Sequence, residues 1–249
     1  MTKVEEIIQS FLHRVNGKEF SCLEFLNLFT DFGKKFNEGD FVHQIAENIK
    51  KDDLANKNLA AKSYSHENGF AKLVIWENEN SMFRLRLHFW DGSNKINSNI
   101  HNHRFNFTSF ILKGAIKNFT WILDDKGDNF SYYHYLPRLE NGTYKMHKIG
   151  NAKLRISEET ILTEGDVYYL SHETLHTSEN WSENLVTLFI EDRSVLGKYA
   201  KVYTNRYTND DDFIINSPPL EMQDYIKTLE RISSCLQTNY TSKNNCSGT

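Results

Sequence analysis

Cysteine is scarce in this chain: Cys22, Cys235 and Cys246 are its three, scattered over 249 residues. An odd, sparse set builds no disulfide framework and reads as reduced thiols, so a cytoplasmic location is the expectation. No apolar run reaches the ~18 residues of a membrane span. Met1-Thr2-Lys3-Val4-Glu5-Glu6 does not read as a signal peptide. Charge of one sign is never concentrated. The net charge of −4 carries no basic stripe, which argues against nucleic acid as a partner. Internal repeats and Pro/Ser-rich linkers are also missing. Hydrophobic residues make up a modest 39%, but aromatic residues at 13% bring enough area each to build a core. The length allows one large β domain with helical additions, or two small domains.

Along the chain, residues 3–15 read as a helix, with Val4, Ile7, Ile8, Phe11 and Leu12 at helical spacing. Ser21 is placed to cap a second helix carrying Leu23, Phe25, Leu26, Leu28 and Phe29. A third is predicted from Phe41 to Lys51. Residues 1–60 therefore form a helical section, expected to pack on the β-rich remainder of the chain. From about residue 62 short strands and polar turns take over, and 61–215 read as one β domain. Strands are expected at Phe70–Trp76, Phe83–Trp90, His101–Leu112, Ala115–Leu123, 131–136, 143–149, 160–163, 167–170, 175–178 and 185–191. Turns or loops are expected at Glu77–Asn80, Asp91–Asn99 and Asp124–Asp128. This spacing of short strands argues for a sandwich or barrel. Ser217-Pro218-Pro219 is predicted to open a final helix over 216–237, with a polar, disordered tail over 238–249.

Chemistry concentrates in Ile100-His101-Asn102-His103-Arg104-Phe105-Asn106-Phe107 and in Leu175-His176-Thr177-Ser178-Glu179-Asn180. On one strand His101 and His103 would leave the same face. Two imidazoles side by side are half of a metal site, and His176 is the candidate third ligand of a facial set with open positions.

These two stretches resemble the motifs of the cupin superfamily of small β-barrels. The first family motif is His-x-His, three or four residues, Glu, six residues, Gly. His101, His103 and Gly114 occupy its spacing, with Phe107 where the glutamate ligand usually stands. In the second motif Gly165, His176 and Asn180 are in register, while Ser171 replaces Pro and Glu173 replaces Gly. The resemblance implies a mainly β fold: a double-stranded β-helix (jelly-roll) barrel, here with N-terminal helices and a C-terminal helix. Because Phe107 cannot bind metal, the site resembles that of the three-histidine thiol dioxygenases, of which cysteine dioxygenase is the best-known member. The passage Leu87-His88-Phe89-Trp90 before the ligands is also similar to theirs.

That likeness implies a metal at His101, His103 and His176, with Fe(II) first and Zn or Ni as alternatives. Lys72 is the counterpart of the family's carboxylate-binding arginine. The family's Ser-x-His-x-Tyr falls on Thr187-Leu188-Phe189-Ile190-Glu191, so its histidine and tyrosine are gone and cysteine itself is a doubtful substrate. Position 88 lines the family's pocket. Strand parity then carries Arg84 and Arg86 inward with His88, although the wholly apolar opposite face would equally suit a strand with a solvated polar side. Inward-facing Arg86 would clamp a carboxylate or phosphate, and His88 would move a proton or supply a fourth ligand. Glu191 points inward by the resemblance, where it would need a partner and would serve as a base near the metal; the alternative is a salt bridge at the surface. Phe105 and Phe107 would dry the ligand face and line the substrate site. Arg104 and Asn106 fall on the opposite face as structural residues. One of Tyr168 and Tyr169 should face the cavity. His172 reads as a turn residue, and His43, His66, His134 and His147 lie outside the motifs.

The expected activity is that of a mononuclear non-haem iron oxygenase, using O2 on a small polar or anionic substrate such as a thiol or amino-acid derivative. One alternative is a zinc or nickel cupin carrying out isomerase, lyase or bond-forming chemistry without O2. The other is a non-catalytic ligand-binding cupin. Pairing through the sheets into a homodimer is a family expectation.

Overall fold

The structure, a computed structural model, describes residues 3–15, 18, 20–38, 40–51, 53–77, 83–92, 98–206 and 212–244. The expected turn after Glu77, the middle of the loop 91–99 and the end of the tail (245–249) lie outside these residues.

Four helices come first. Helix α1 (Lys3–Val15) buries Val4, Ile8, Phe11, Leu12 and Val15, a stripe set by its apolar spacing. Helix α2 (Cys22–Glu38) starts at the expected cap. Ser21 N donates to Glu24 Oε2 at 2.9 Å and Glu24 N donates to Ser21 Oγ at 3.3 Å, a reciprocal capping box. Helix α3 (Phe41–Lys51) has its expected bounds, and α4 (Asp53–Ala61) completes the section.

The strands are β1 (Tyr64–His66), β2 (Phe70–Glu77), β3 (Phe83–Trp90), β4 (Ile100–His101), β5 (Asn106–Lys113), β6 (Ala115–Tyr135), β7 (Thr143–Thr163), β8 (Val167–Leu170), β9 (Leu175–Asn180), β10 (Leu185–Asp192), β11 (Ala200–Thr204) and β12 (Phe213–Asn216). They form two antiparallel sheets, in the orders β1-β2-β3-β10-β5-β8 and β11-β4-β9-β6-β7-β12. From β3 to β11 the chain passes back and forth between the sheets, with the β6–β7 hairpin as one excursion within the second, and β12 then adds to the edge of that sheet. This is the strand order of a jelly roll, the architecture of cupins. Gly114 and Gly165 close the turns into β6 and β8 at φ of 88° and 92°, backbone that side chains rarely adopt.

Several expectations needed correction. The run from His101 to Leu112 is not one strand: β4 ends at His101, 102–105 leave the sheet, and β5 begins at Asn106. The separate strands at 115–123, 131–136, 143–149 and 160–163 are two long strands. The loop expected at 124–128 is a bulge within them, where Leu123 and Asp128 both lie opposite Leu154. The final helix, α5 (Met222–Asn244), starts after Pro218 and Pro219 and continues past residue 237.

The main core lies between the first sheet and the helices. Leu85, Leu87 and Phe89 of β3 and Val186, Leu188 and Ile190 of β10 meet Phe11, Phe29, Phe36, Phe41 and Ile45 there, with Tyr225, Leu229 and Ile232 from α5. The Tyr225 hydroxyl donates to Val74 O at 2.7 Å, tying α5 to β2. Gly33 lets α2 close on the sheet, since a Cβ there would sit 2.5 Å from Cγ of Phe110. With the apolar face of β3 covered by helices, its other face looks into the barrel.

Candidate metal centre and its cavity

His101 and His176 are direct partners across the β4–β9 ladder, which brings their rings to 4.6 Å between centroids. His103 arrives from the irregular segment 102–105. Two asparagines fix that segment. Asn102 Nδ2 donates to His172 O at 2.8 Å, and its Oδ1 accepts from Lys201 N at 2.6 Å. Asn106 Oδ1 accepts from His172 N at 2.9 Å. The turn before His176 is thereby clasped to the residues on either side of His103. Asn106 is structural, as expected. Asn102 was not singled out in the sequence, where a polar residue between two histidines carries no signal of what its amide will hold.

Nε2 of His103 and Nε2 of His176 stand 2.9 Å apart. Two nitrogens at ~2.1 Å from one metal and at right angles would be about 3.0 Å apart, so the pair fits adjacent coordination positions. His101 Nδ1 lies 2.8 Å from Asn99 O, which fixes that nitrogen as the donor and leaves Nε2 as a free lone pair. One ligand nitrogen from each ring lies within 4.8 Å of the others. Burial disfavours the charged imidazoles. It lowers His101 to about 4, against a partial rise from the Asn99 carbonyl. His103 is held well below the usual range by burial and then by the neighbouring histidines, and His176 by burial and then His101. Three neutral imidazoles with converging lone pairs could hold a divalent metal. Phe107 packs against His103 at 4.7 Å and stacks on Phe189 at 4.5 Å, so no carboxylate enters where the family glutamate would be.

A cavity of about 630 Å³ opens on His101 and His103 and takes in Lys72, Arg84, Arg86, Phe105 and Glu191. A narrow recess of about 60 Å³ reaches His176 and is walled by Phe70, His88, Trp90, Phe107, Tyr168 and Phe189. The polar face of β3 therefore looks inward. Arg86 and His88 are 5% and 7% exposed, values that exclude a solvated outer face. Glu191 forms a buried ion pair with Arg86 Nη2 at 2.6 Å, and Arg84 Nη1 is 3.6 Å away. Arg84 also pairs with Glu77. His88 lies between Phe70 and Phe189, at 4.9 and 4.6 Å, and its Nε2 has no hydrogen-bond partner. Burial, then Lys72 and Arg86, push its pKa well below the usual range. It is not in the three-histidine group.

Arg104 corrects the parity argument. It lines the same cavity as His103, because 102–105 is not a strand and alternation stops at His101. Of the tyrosine pair, Tyr168 lines the recess and Tyr169 is 38% exposed. His66 and Tyr64 were missed. His66 lines both spaces, and Tyr64 sits opposite Lys72 in the β1–β2 ladder. The alternation Tyr64-Ser65-His66 was the available signal, on a strand too short to stand out. Burial alone would raise the Tyr64 phenol, but Lys72 and Arg86 outweigh it and lower its pKa.

Fold and site together define a jelly-roll barrel, an architecture that cupins share, with a three-histidine cluster able to hold a metal. No family model matches the chain, and no curated protein matches it. Solved structures that resemble it include the cupin domain of Drosophila melanogaster CENP-C, at 11% identity and a TM-score of 0.32, over 51% of this chain and 73% of that one. Hydroquinone 1,2-dioxygenase in complex with Cd2+ and 4-hydroxybenzonitrile matches at 14% identity and 0.31, over 51% and 66%. Hydroxypropylphosphonic acid epoxidase from S. wedmorenis matches at 10% and 0.35, over 52% and 53%. The fold itself rests on the strand order.

Proposed function

We propose that this barrel is a mononuclear non-haem iron oxygenase whose site is similar to that of the thiol dioxygenases. The observation that carries the reading is the set of three neutral imidazoles converging beside a cation-lined cavity, with phenylalanine in the place of the carboxylate ligand. Fe(II) held by His101, His103 and His176 would supply O2 chemistry and leave positions for an anionic substrate group. The protein's own part follows from its geometry. Arg86 and Lys72 hold the anionic end of the substrate beside the histidines, with Arg84 behind them. Glu191, paired with Arg86 and close to Arg84, orients the Arg86 guanidinium. His88, neutral and with Nε2 free, is the group that moves a proton. Phe105, Phe107 and Phe189 keep water from the reacting end.

The test is metal analysis of protein purified without added metal, followed by anaerobic Fe(II) loading and oxygen uptake against thiols and organic acids. Iron near one per chain and substrate-dependent uptake are expected. Full metal content in a His176→Ala variant would refute the assignment. Three imidazoles also suit zinc, which lowers bound water to a pKa of about 7 in such sites. Tightly held zinc or nickel with no oxygen uptake would therefore favour isomerase, lyase or bond-forming chemistry.

A further inference from the structure

We propose that the larger cavity takes an organic molecule carrying at least two negatively charged groups, and that its cations hold this molecule independently of the metal. This deepens the oxygenase reading by naming its substrate class, and it rests on that reading only for where the reacting end lies. Among the described residues lysine and arginine side chains outnumber carboxylates seven to three around the cavity, and Glu77 beside it pairs with three of them, Lys62, Arg84 and Arg193. Glu191 occupies only Nη2 of Arg86; Nε and Nη1 are buried without a hydrogen-bond partner. A 5%-exposed guanidinium with two unused donors is an expensive feature unless something anionic meets it. Lys72, Arg104 and Arg138 form no ion pair among the described residues. Arg138 is nevertheless fixed. Its Nε and Nη2 donate to Ser217 O at 3.1 and 2.8 Å, and it lies 4.6 Å over the Tyr64 ring.

One carboxylate on the fork of Arg86 would leave Lys72, whose contact is the Tyr64 hydroxyl, and Arg104 and Arg138 without an ion-pair partner among the described residues. A second anionic group answers them. The volume agrees: about 630 Å³ is in the range of sites for drug-sized ligands and exceeds what a single amino acid fills. Burial and the repulsion of Arg86 already disfavour the charge on Lys72, and a polyanion would relieve that repulsion.

The experiment uses full-length protein stripped of metal and dialysed free of chelator, titrated calorimetrically with pyrophosphate, citrate and acetate. Pyrophosphate or citrate should bind at least about tenfold more tightly than acetate, the effect of one added charge-assisted contact. A preference for pyrophosphate identifies phosphoryl groups and a preference for citrate identifies carboxylates; either supports the proposal. Arg104→Gln and Lys72→Met should each weaken the favoured anion about tenfold, with unchanged circular dichroism. Arg104 is in no ion pair among the described residues, so its variant orphans none of their carboxylates. Equal affinity for all three anions, or full affinity in both variants, would overturn the proposal. Metal uptake by the same samples separates the two readings: metal bound without anion preference overturns only this inference, and anion preference without metal uptake overturns only the oxygenase reading.

Discussion

The pair formed by Arg86 and Glu191 offers a quantitative test of whether the polar face of β3 lies inside the barrel. The residues are 5% and 3% exposed and 2.6 Å apart. A solvent-exposed pair is worth about 0–1 kcal/mol, whereas removing one partner of a buried pair costs about 3–5 kcal/mol. The two single substitutions should differ. In Arg86→Met the carboxylate keeps Arg84 Nη1 at 3.6 Å, so the loss should lie near the lower bound, about 3 kcal/mol. In Glu191→Leu two guanidinium groups face each other in a cavity already rich in cations, so the loss should lie near the upper bound, about 5 kcal/mol. The double variant removes charge and desolvation together and should fall well short of the sum. Urea unfolding of all four proteins measures this. Repeating it in about 1 M salt, where the Debye length is about 3 Å, should leave the buried coupling largely intact. Losses below about 1 kcal/mol in both single variants, or coupling abolished by salt, would show a solvated pair and refute the inward orientation.

Three further outcomes are expected. Gly33→Ala should destabilise: the gain in helix propensity is about 1 kcal/mol, but the new Cβ would press on the Phe110 ring, with an overpacking cost of about 1–3 kcal/mol; a raised urea midpoint would contradict the close α2–β5 approach. Asn102→Ala should lower metal affinity about 10–100-fold while the protein stays folded, because the segment bearing His103 loses both side-chain anchors; unchanged affinity in a metal titration would remove Asn102 from the site. Metal-free protein should lose stability as the pH falls from about 6.5 toward 4. His101, His103 and His176 are depressed in the folded state, so the unfolded chain binds more protons there, at up to about 1.4 kcal/mol per pH unit for each proton. Thermal melts that are flat between pH 6.5 and 5 would contradict this.

Local regularity decided what was legible. The helices α1 to α3 could be read because apolar spacing and the Ser21–Glu24 box act within a few residues. The clustering of the three histidines could be read because two motifs kept their spacing, although strand alternation is not what brings His101 and His103 together. They meet because the chain leaves the sheet between them, held by Asn102. The same departure hid Arg104, whose position no alternation could predict. At three residues β1 is too short for a period, and β11, which was not expected from the sequence, is the partner that anchors Asn102.

The undecided face of β3 shows why the remainder needed tertiary structure. Its residues define two faces, one of leucine and phenylalanine and one of arginine and histidine, but an isolated alternating strand does not say which face meets solvent. That choice belongs to the helices. Phe11, Phe29, Phe36, Phe41 and Tyr225 cover the apolar face from outside, so the barrel interior need not supply its hydrophobic partner. The interior can then carry Arg84, Arg86 and His88, charges and donors that an ordinary barrel core would exclude. Helices at the two ends of the chain, remote from the histidines, are on this argument what permits a polar, cation-lined cavity beside the three-histidine cluster. A barrel of the same strand order without such helices would have to turn the leucine face inward.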